Sequence, residues 1–294
     1  MKFVTFSTKT DKDLFGILDG DHVLSVKHLI EQYKKTEEIS LTENITLLEM
    51  IKEEQEEQIR SIYNHSKDTI PFFRKEDIKF EAPFKEPGKI VCVGNNYMDH
   101  CIEQNVEPPK KPMIFSKWAS CLIGDNDTIT LPDESEQVDY EAELVVVIGK
   151  KGKNIAEEQV FDHIFGYSIL NDVSARDVQF ADVQWVRGKS FDTFAPFGPS
   201  IVSKDEIENP HDLDIKLLLN GETLQDSNTK HLIFDIPYII SYLSKSFTFE
   251  PGDIIATGTP HGVGVFRDPQ VFLKKGDVCT IEIESVGRLK NQIL

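Results

Sequence analysis

The 294-residue chain has only four cysteines, and none forms a CxxC pair or a zinc-ribbon spacing. Cys92, Cys101, Cys121 and Cys279 are scattered, which excludes a thiolate metal site and predicts reduced, mostly buried small hydrophobes. Long apolar runs are missing as well. None approaches the ~18 residues that mark a membrane span. The opening MKFVTFSTKTDKD lacks both the basic and the apolar region of a signal peptide. These absences predict a cytoplasmic protein without membrane association. Basic residues are few, 32 Lys plus Arg against 50 Asp plus Glu, and the net charge of -18 repels polyanions. Nucleic acid is therefore not an expected partner. Nucleotide fingerprints fail too: Gly188-Lys189-Ser190 has Val183 where a phosphate loop needs glycine. The glycines of Gly258 to Gly264 lack the strand and helix setting of a dinucleotide site, and no repeat recurs at a fixed period.

A hydrophobic content of 39% over this length supports one large domain, or a large and a small one. Residues 2 to about 28 read as short strands, with a hairpin turn at Asp19-Gly20-Asp21. Between Thr46 and Tyr63 the apolar period becomes helical and predicts one amphipathic helix. Pro71, Pro83 and Pro87-Gly88 then punctuate the chain, placing the end of a small N-terminal domain near residue 84. The remaining segment, 85–294, alternates short apolar runs with turns: Lys89–Gly94, Met113–Lys117, Thr128–Leu131, Glu143–Ile148, Phe165–Leu170, Leu213–Leu219, Asp253–Thr257 and Val278–Ile283. Asn220-Gly221 marks a second hairpin and Asp235 to Ser244 a single helix. The fold class that follows is α+β, mostly β.

Chemistry enters with VDYEAELVVVI, residues 138 to 148. Glu141 and Glu143 stand two apart in an apolar strand, so both carboxylates aim at one face, where they repel unless a proton or a cation intervenes. The alternative is an edge strand facing solvent, or pairing with Arg and Lys. Asp172, at the end of the next apolar strand, offers a third oxygen. Three hard anionic oxygens without a soft ligand suit Mg²⁺ or Mn²⁺ better than zinc. Arg176 and Asp177 just beyond read as a salt bridge shaping the turn. His100 and Glu103, at i and i+3 on a helical turn, share a face on which the carboxylate can orient the imidazole, the arrangement of a general base. Lys189 among Trp185, Phe191 and Phe194 is a partly desolvated cation able to hold a carboxylate or enolate oxygen, or a lysine snorkelling to water.

Six blocks in order, KIVCVGNNYMDH, DYEAELVVVIGK, GYSILNDVSARDVQ, RGKSFDTFAPFGP, NGETLQDSNT and GDIIATGTPHGVG, resemble the fumarylacetoacetate hydrolase superfamily over about residues 89 to 294. The resemblance implies a mixed β-roll catalytic domain, usually dimeric, with a small N-terminal domain before it. It implies metal ligands at Glu141, Glu143 and Asp172, a His–Glu pair at His100 and Glu103, an active-site lysine at Lys189 and a substrate-contacting Thr259. Asn95 departs from the larger or basic residue common before the Asn-Tyr pair, and Ser120 to Asn126 lacks a frequent Gly-Pro. The expected reaction is metal-dependent cleavage of a carbon–carbon bond in an acylpyruvate-type 2-oxo acid. Oxaloacetate-type decarboxylation and enol-acid isomerisation use the same site and stand as alternatives. A binding protein that has lost catalysis is a distant third, since His100, Glu103 and Lys189 are all present.

Overall fold

The computed structural model describes residues 1–294. Its frame is a 12-stranded mixed sheet with a five-stranded sheet and a two-stranded ribbon beside it, in keeping with the mostly-β α+β expectation. At the centre of the large sheet lies Ala142–Ile148, AELVVVI, buried at every position. Such a run has no solvent face and fits only a strand covered on both sides. It pairs antiparallel with Ile164–Asn171 on one side and with Ile254–Ala256 on the other. Ile254–Ala256 in turn runs parallel to Ile90–Gly94.

This register places the site. Glu143 lies opposite Leu170 and Ala142 opposite Asn171, so one further step sets Glu141 beside Asp172, whose N–H donates to the Glu141 carbonyl at 2.9 Å. The neighbouring parallel pair, Ile90–Gly94 and Ile254–Ala256, ends at the same edge and delivers Asn95 and Gly258 there. Beyond Gly94 the chain turns into the helix Met98–Glu103, which carries the histidine.

The N-terminal residues extend the same sheet. Lys2–Ser7 pairs with Ala195–Ser203, and Leu14–Asp19 and His22–Ser25 follow as the expected hairpin. Phe3, Leu29 and Met50 belong to the same continuous apolar core as Tyr167 and Phe249. Local details differ from the sequence reading. The strand run ends early, because Val26–Tyr33 is a helix burying Val26, Leu29 and Ile30. The single helix expected from Thr46 to Tyr63 is two: Leu47–Lys52, with a Thr46–Glu49 capping box, and Glu56–Ser66. Glu54, at φ 52°, breaks the helical path between them. Asn220 (φ 53°) and Gly221 (φ 87°) form the predicted turn, and the helix Ile236–Ser244 begins with Asp235 capping Tyr238 N–H at 2.8 Å.

Candidate active site

Glu141, Glu143 and Asp172 converge: each offers an oxygen, and these oxygens all lie within 4.8 Å of one another. All three side chains are buried, which rules out the edge-strand alternative. Their partners decide their charge. Asp172 binds the Lys117 ammonium through Oδ1 at 2.7 Å and the Lys189 ammonium through Oδ2 at 2.9 Å. Glu141 holds Lys189 through Oε2 and Arg176 through Oε1, each at 2.7 Å. Burial alone would raise the Glu141 carboxyl, but Lys189 and Arg176 hold it down to about 2. Glu143 has no such partner. Its one hydrogen bond comes from the Gly258 N–H at 2.9 Å, and burial together with the charges of Asp172 and Glu141 pushes its carboxyl well above the ordinary range.

Four buried carboxylates, Asp139 included, thus face three buried cations, Lys117, Arg176 and Lys189. The unmatched charge resides on Glu143. A site of hard oxygens short of one positive charge fits a divalent cation, and the cluster is of the kind that holds one.

Lys189, at the end of the short helix Val186–Lys189, is buried rather than snorkelling. Burial favours its neutral form, yet Asp172 and Glu141 raise its pKa above the ordinary lysine value and keep it an ammonium. Its Nζ lies 5.0 Å from the ring centre of Phe115, which packs edge-on against Trp185. The expected Arg176–Asp177 bridge does not form. Arg176 instead reaches across the two-stranded ribbon to Asp139 (Nε to Oδ2, 2.8 Å), while Asp177 accepts from Ser135 Oγ at 2.6 Å and from the Glu136 N–H at 3.0 Å. Asp139 also accepts from the N–H groups of Gly264 (2.7 Å) and Val265 (3.0 Å). A Cβ on Gly264 would overlap the Val271 carbonyl, so only glycine brings that N–H so close.

His100 Nδ1 lies 2.6 Å from Glu103 Oε1, and Glu103 Oε2 accepts from the Gly262 N–H at 2.8 Å. The carboxylate is thereby fixed at both oxygens, and His100 Nε2 is the ring nitrogen left for other work. Asp99 in the same helical turn meets His261 Nδ1 at 2.7 Å. Two side chains of the Met98–Glu103 helix are thus tied to the glycine-rich loop. Thr259 Oγ1 accepts from Gln225 Nε2 at 2.9 Å, and Gln225 Oε1 accepts from the Ala142 N–H at 2.9 Å.

Thr259, His100, Glu141, Glu143 and Lys189 line one cavity, with Asn95, Gln104, Gln179 and several aromatic rings completing its wall. Asp172 lies behind Lys189. Sequence reasoning missed Lys117, Asp139 and Gln225. Lys117 carried a signal of its own, a lysine ending the apolar strand Met113–Ser116, but its partner stands 55 residues away.

The chain is similar to known proteins over most of its length. Residues 89–294 match the family model described as fumarylacetoacetate (FAA) hydrolase C-terminal. The chain is 51% identical over 222 residues, 75% of its length and 70% of the relative's, to a protein of Xenopus laevis named oxaloacetate tautomerase, mitochondrial. A human oxaloacetate tautomerase, also named mitochondrial, is 49% identical over 227 residues, 76% of this chain and 72% of its own. These names overturn the expectation of a cytoplasmic protein, which rested on the composition of a few residues at the start of the sequence. No helix is long and apolar enough to cross a membrane. Among solved structures, fumarylacetoacetate hydrolase from Exiguobacterium antarcticum is 36% identical with a TM-score of 0.86, covering 100% of this chain and 99% of that one. Maleylpyruvate hydrolase from Sphingobium, solved with manganese(II) and pyruvate, is 29% identical with a TM-score of 0.81 over 100% and 99% of the two chains. From the six sequence blocks to the carboxylate cluster and these likenesses, the chain belongs to the fumarylacetoacetate hydrolase family of enzymes.

Proposed function

We propose that the protein is a divalent-metal-dependent tautomerase acting on a 2-oxo diacid of the oxaloacetate type. The observation that carries this reading is the identity of about one half, over three quarters of the chain, with proteins named oxaloacetate tautomerases. The cavity supports it: an acid–base histidine, a buried ammonium and a carboxylate cluster face one small space. The chemistry is one proton removed from the enol oxygen at C2 and one delivered to C3. No water need attack, and no carbon–carbon bond breaks.

Glu141, Glu143 and Asp172 would hold Mg²⁺ or Mn²⁺, and such an ion, when bound, supplies Lewis acidity toward the adjacent oxygens of a 2-oxo acid. Charge balance favours a 2-oxo acid. With a divalent ion the excess of one negative charge becomes a surplus of one positive, which a single substrate carboxylate offsets. Glu103 holds His100 Nδ1, so Nε2 exchanges the proton with the ligand. Lys189 keeps its proton and presents positive charge to the oxygen that turns anionic when the enol is deprotonated. Thr259, fixed by Gln225, offers its hydroxyl to the substrate.

Acylpyruvate-type hydrolysis is the second reading, favoured by the likeness to maleylpyruvate hydrolase. The test is the decay of enol-oxaloacetate absorbance with the manganese-loaded protein, wild type and His100→Asn. Loss of the acid–base group should lower kcat by roughly 10² to 10⁴. If the wild type leaves the enol decay at the buffer rate while cleaving an acylpyruvate, the tautomerase reading is wrong.

A further inference from the structure

The cavity's two cations are committed: Arg176 to Asp139 and Glu141, Lys189 to Glu141 and Asp172. No third cation lines it. A dicarboxylate substrate nevertheless brings a second negative group, which must be hydrogen-bonded if it is to leave water. Among the wall's neutral amides, Gln179 is tied to Arg176 Nη1 through its Oε1 at 3.0 Å, whereas Asn95 and Gln104 are tied only to each other. Gln104 Nε2 donates to Asn95 Oδ1 at 3.0 Å, bridging nine residues of chain. Asn95 sits just past the strand Ile90–Gly94 and Gln104 caps the end of the helix Met98–Glu103. The bond therefore folds the two ends of the His100-bearing turn together. It consumes one amide N–H, and the Asn95 amino group and the second Gln104 N–H make no other bond to the protein. Whichever way the two amides are turned, the pair keeps N–H groups to spare at the cavity wall.

Asn95 holds φ 52°, the left-handed region that asparagine tolerates better than most other side-chain-bearing residues. Both side chains are half-buried, as suits a group that meets a ligand rather than the protein core.

We infer that the Asn95–Gln104 amide pair is the subsite for the terminal carboxylate of the substrate, the one remote from the 2-oxo acid. This deepens the tautomerase reading and rests on it. Recognition by neutral donors has a further effect. A carboxylate bound there also ties down the helical turn that carries His100 and Glu103, so the length of the substrate is coupled to the position of the base. A 2-oxo monoacid such as pyruvate engages the carboxylate cluster and Lys189 but leaves the pair empty.

The experiment uses the manganese-loaded protein and two probes: oxaloacetate as substrate, and pyruvate as competitive inhibitor. Gln104→Met preserves length and removes the amide. Asn95→Asp preserves the left-handed backbone and replaces a donor with a negative charge. Each variant should raise the KM for oxaloacetate about tenfold or more, the effect of one lost hydrogen bond to a charged group, while the pyruvate Ki moves less than twofold. Parallel loss for both probes, or no change in either, overturns the assignment. If wild type fails to accelerate tautomerisation, the underlying reading fails instead. The subsite is then judged by calorimetric titration with each probe: a diacid preference in wild type that Gln104→Met abolishes sustains it, and equal wild-type affinities sink it.

Discussion

Replacing Glu143 with glutamine should stabilise the metal-free protein. The side chain is buried with a like charge on either side, and its oxygen lies within 4.8 Å of those of Glu141 and Asp172. At an effective dielectric constant near 20, two unit charges 4.8 Å apart repel by about 3.5 kcal/mol. Two such repulsions act, and the Lys189 ammonium offsets one of them, so the variant should gain about 3 kcal/mol wherever Glu143 would be ionised. With an unfolding entropy of about 2.1 cal/mol/K per residue, that corresponds to roughly 5 °C in Tm.

The pH dependence gives the sign. Glu143 has a folded pKa above its unfolded value, so the folded state keeps a proton that the unfolded state has lost. Below the ordinary carboxylate range the group costs nothing. Above it, wild type loses about 1.4 kcal/mol per pH unit until Glu143 itself ionises, and the variant does not. The gap between the two proteins should therefore widen from pH 5 to pH 8. Manganese at about 1,000 times Kd should reverse the order, since it then stabilises wild type by about 4.1 kcal/mol while the variant has lost a ligand. Differential scanning fluorimetry at both pH values, with chelator and with manganese, reads all four states. A Glu143→Gln protein that melts below wild type in chelator at pH 8, or gains as much from manganese, would refute the reasoning.

Two further outcomes follow from the buried ion pairs and the close packing. Lys117→Met removes one of the two ammonium partners of Asp172 and should cost about 3 kcal/mol in urea unfolding, in the range for a broken buried pair. Manganese should recover part of that loss by supplying positive charge to the same carboxylate, and full wild-type stability in chelator would contradict the pairing. Gly264→Ala should yield little folded protein, because the added methyl overlaps the Val271 carbonyl and the Asp139 carboxylate. Normal expression and an unchanged circular dichroism melt would count against that geometry.

What the sequence disclosed was mostly local. Glu141 and Glu143 share a face because strand periodicity is two, and His100 and Glu103 share one because a helical turn spans three to four residues. Both relations survive folding, and Asp172 joins them because a short, buried antiparallel pair leaves little freedom of register. Turn chemistry was equally readable at Asp19-Gly20 and Asn220-Gly221. The partners of the cluster were not. Lys117, Arg176 and Asp139 meet only after distant segments are brought together, and nothing within either segment specifies the other. The nearest-neighbour guess for Arg176 chose Asp177, yet consecutive residues at a helix start point apart. The strand Ala195–Ser203 escaped notice because Pro196 and Pro199 weigh against a strand. It is nevertheless paired on both sides, with Ile164–Asn171 and Lys2–Ser7.

That last pairing constrains the order of events during folding. Phe3 lies opposite Ile201, so the first strand has its sheet partner almost two hundred residues downstream. Closing so long a loop is entropically costly and slow. Until Ala195–Ser203 has emerged, Lys2–Ser7 can pair only with its hairpin neighbour and, at Phe6 and Ser7, with Lys79–Phe80, leaving the Lys2–Val4 part of its other edge open. An apolar edge waiting for its partner is the part of a nascent chain most exposed to wrong association. Lys2–Ser7 is thus made long before the partner that secures it.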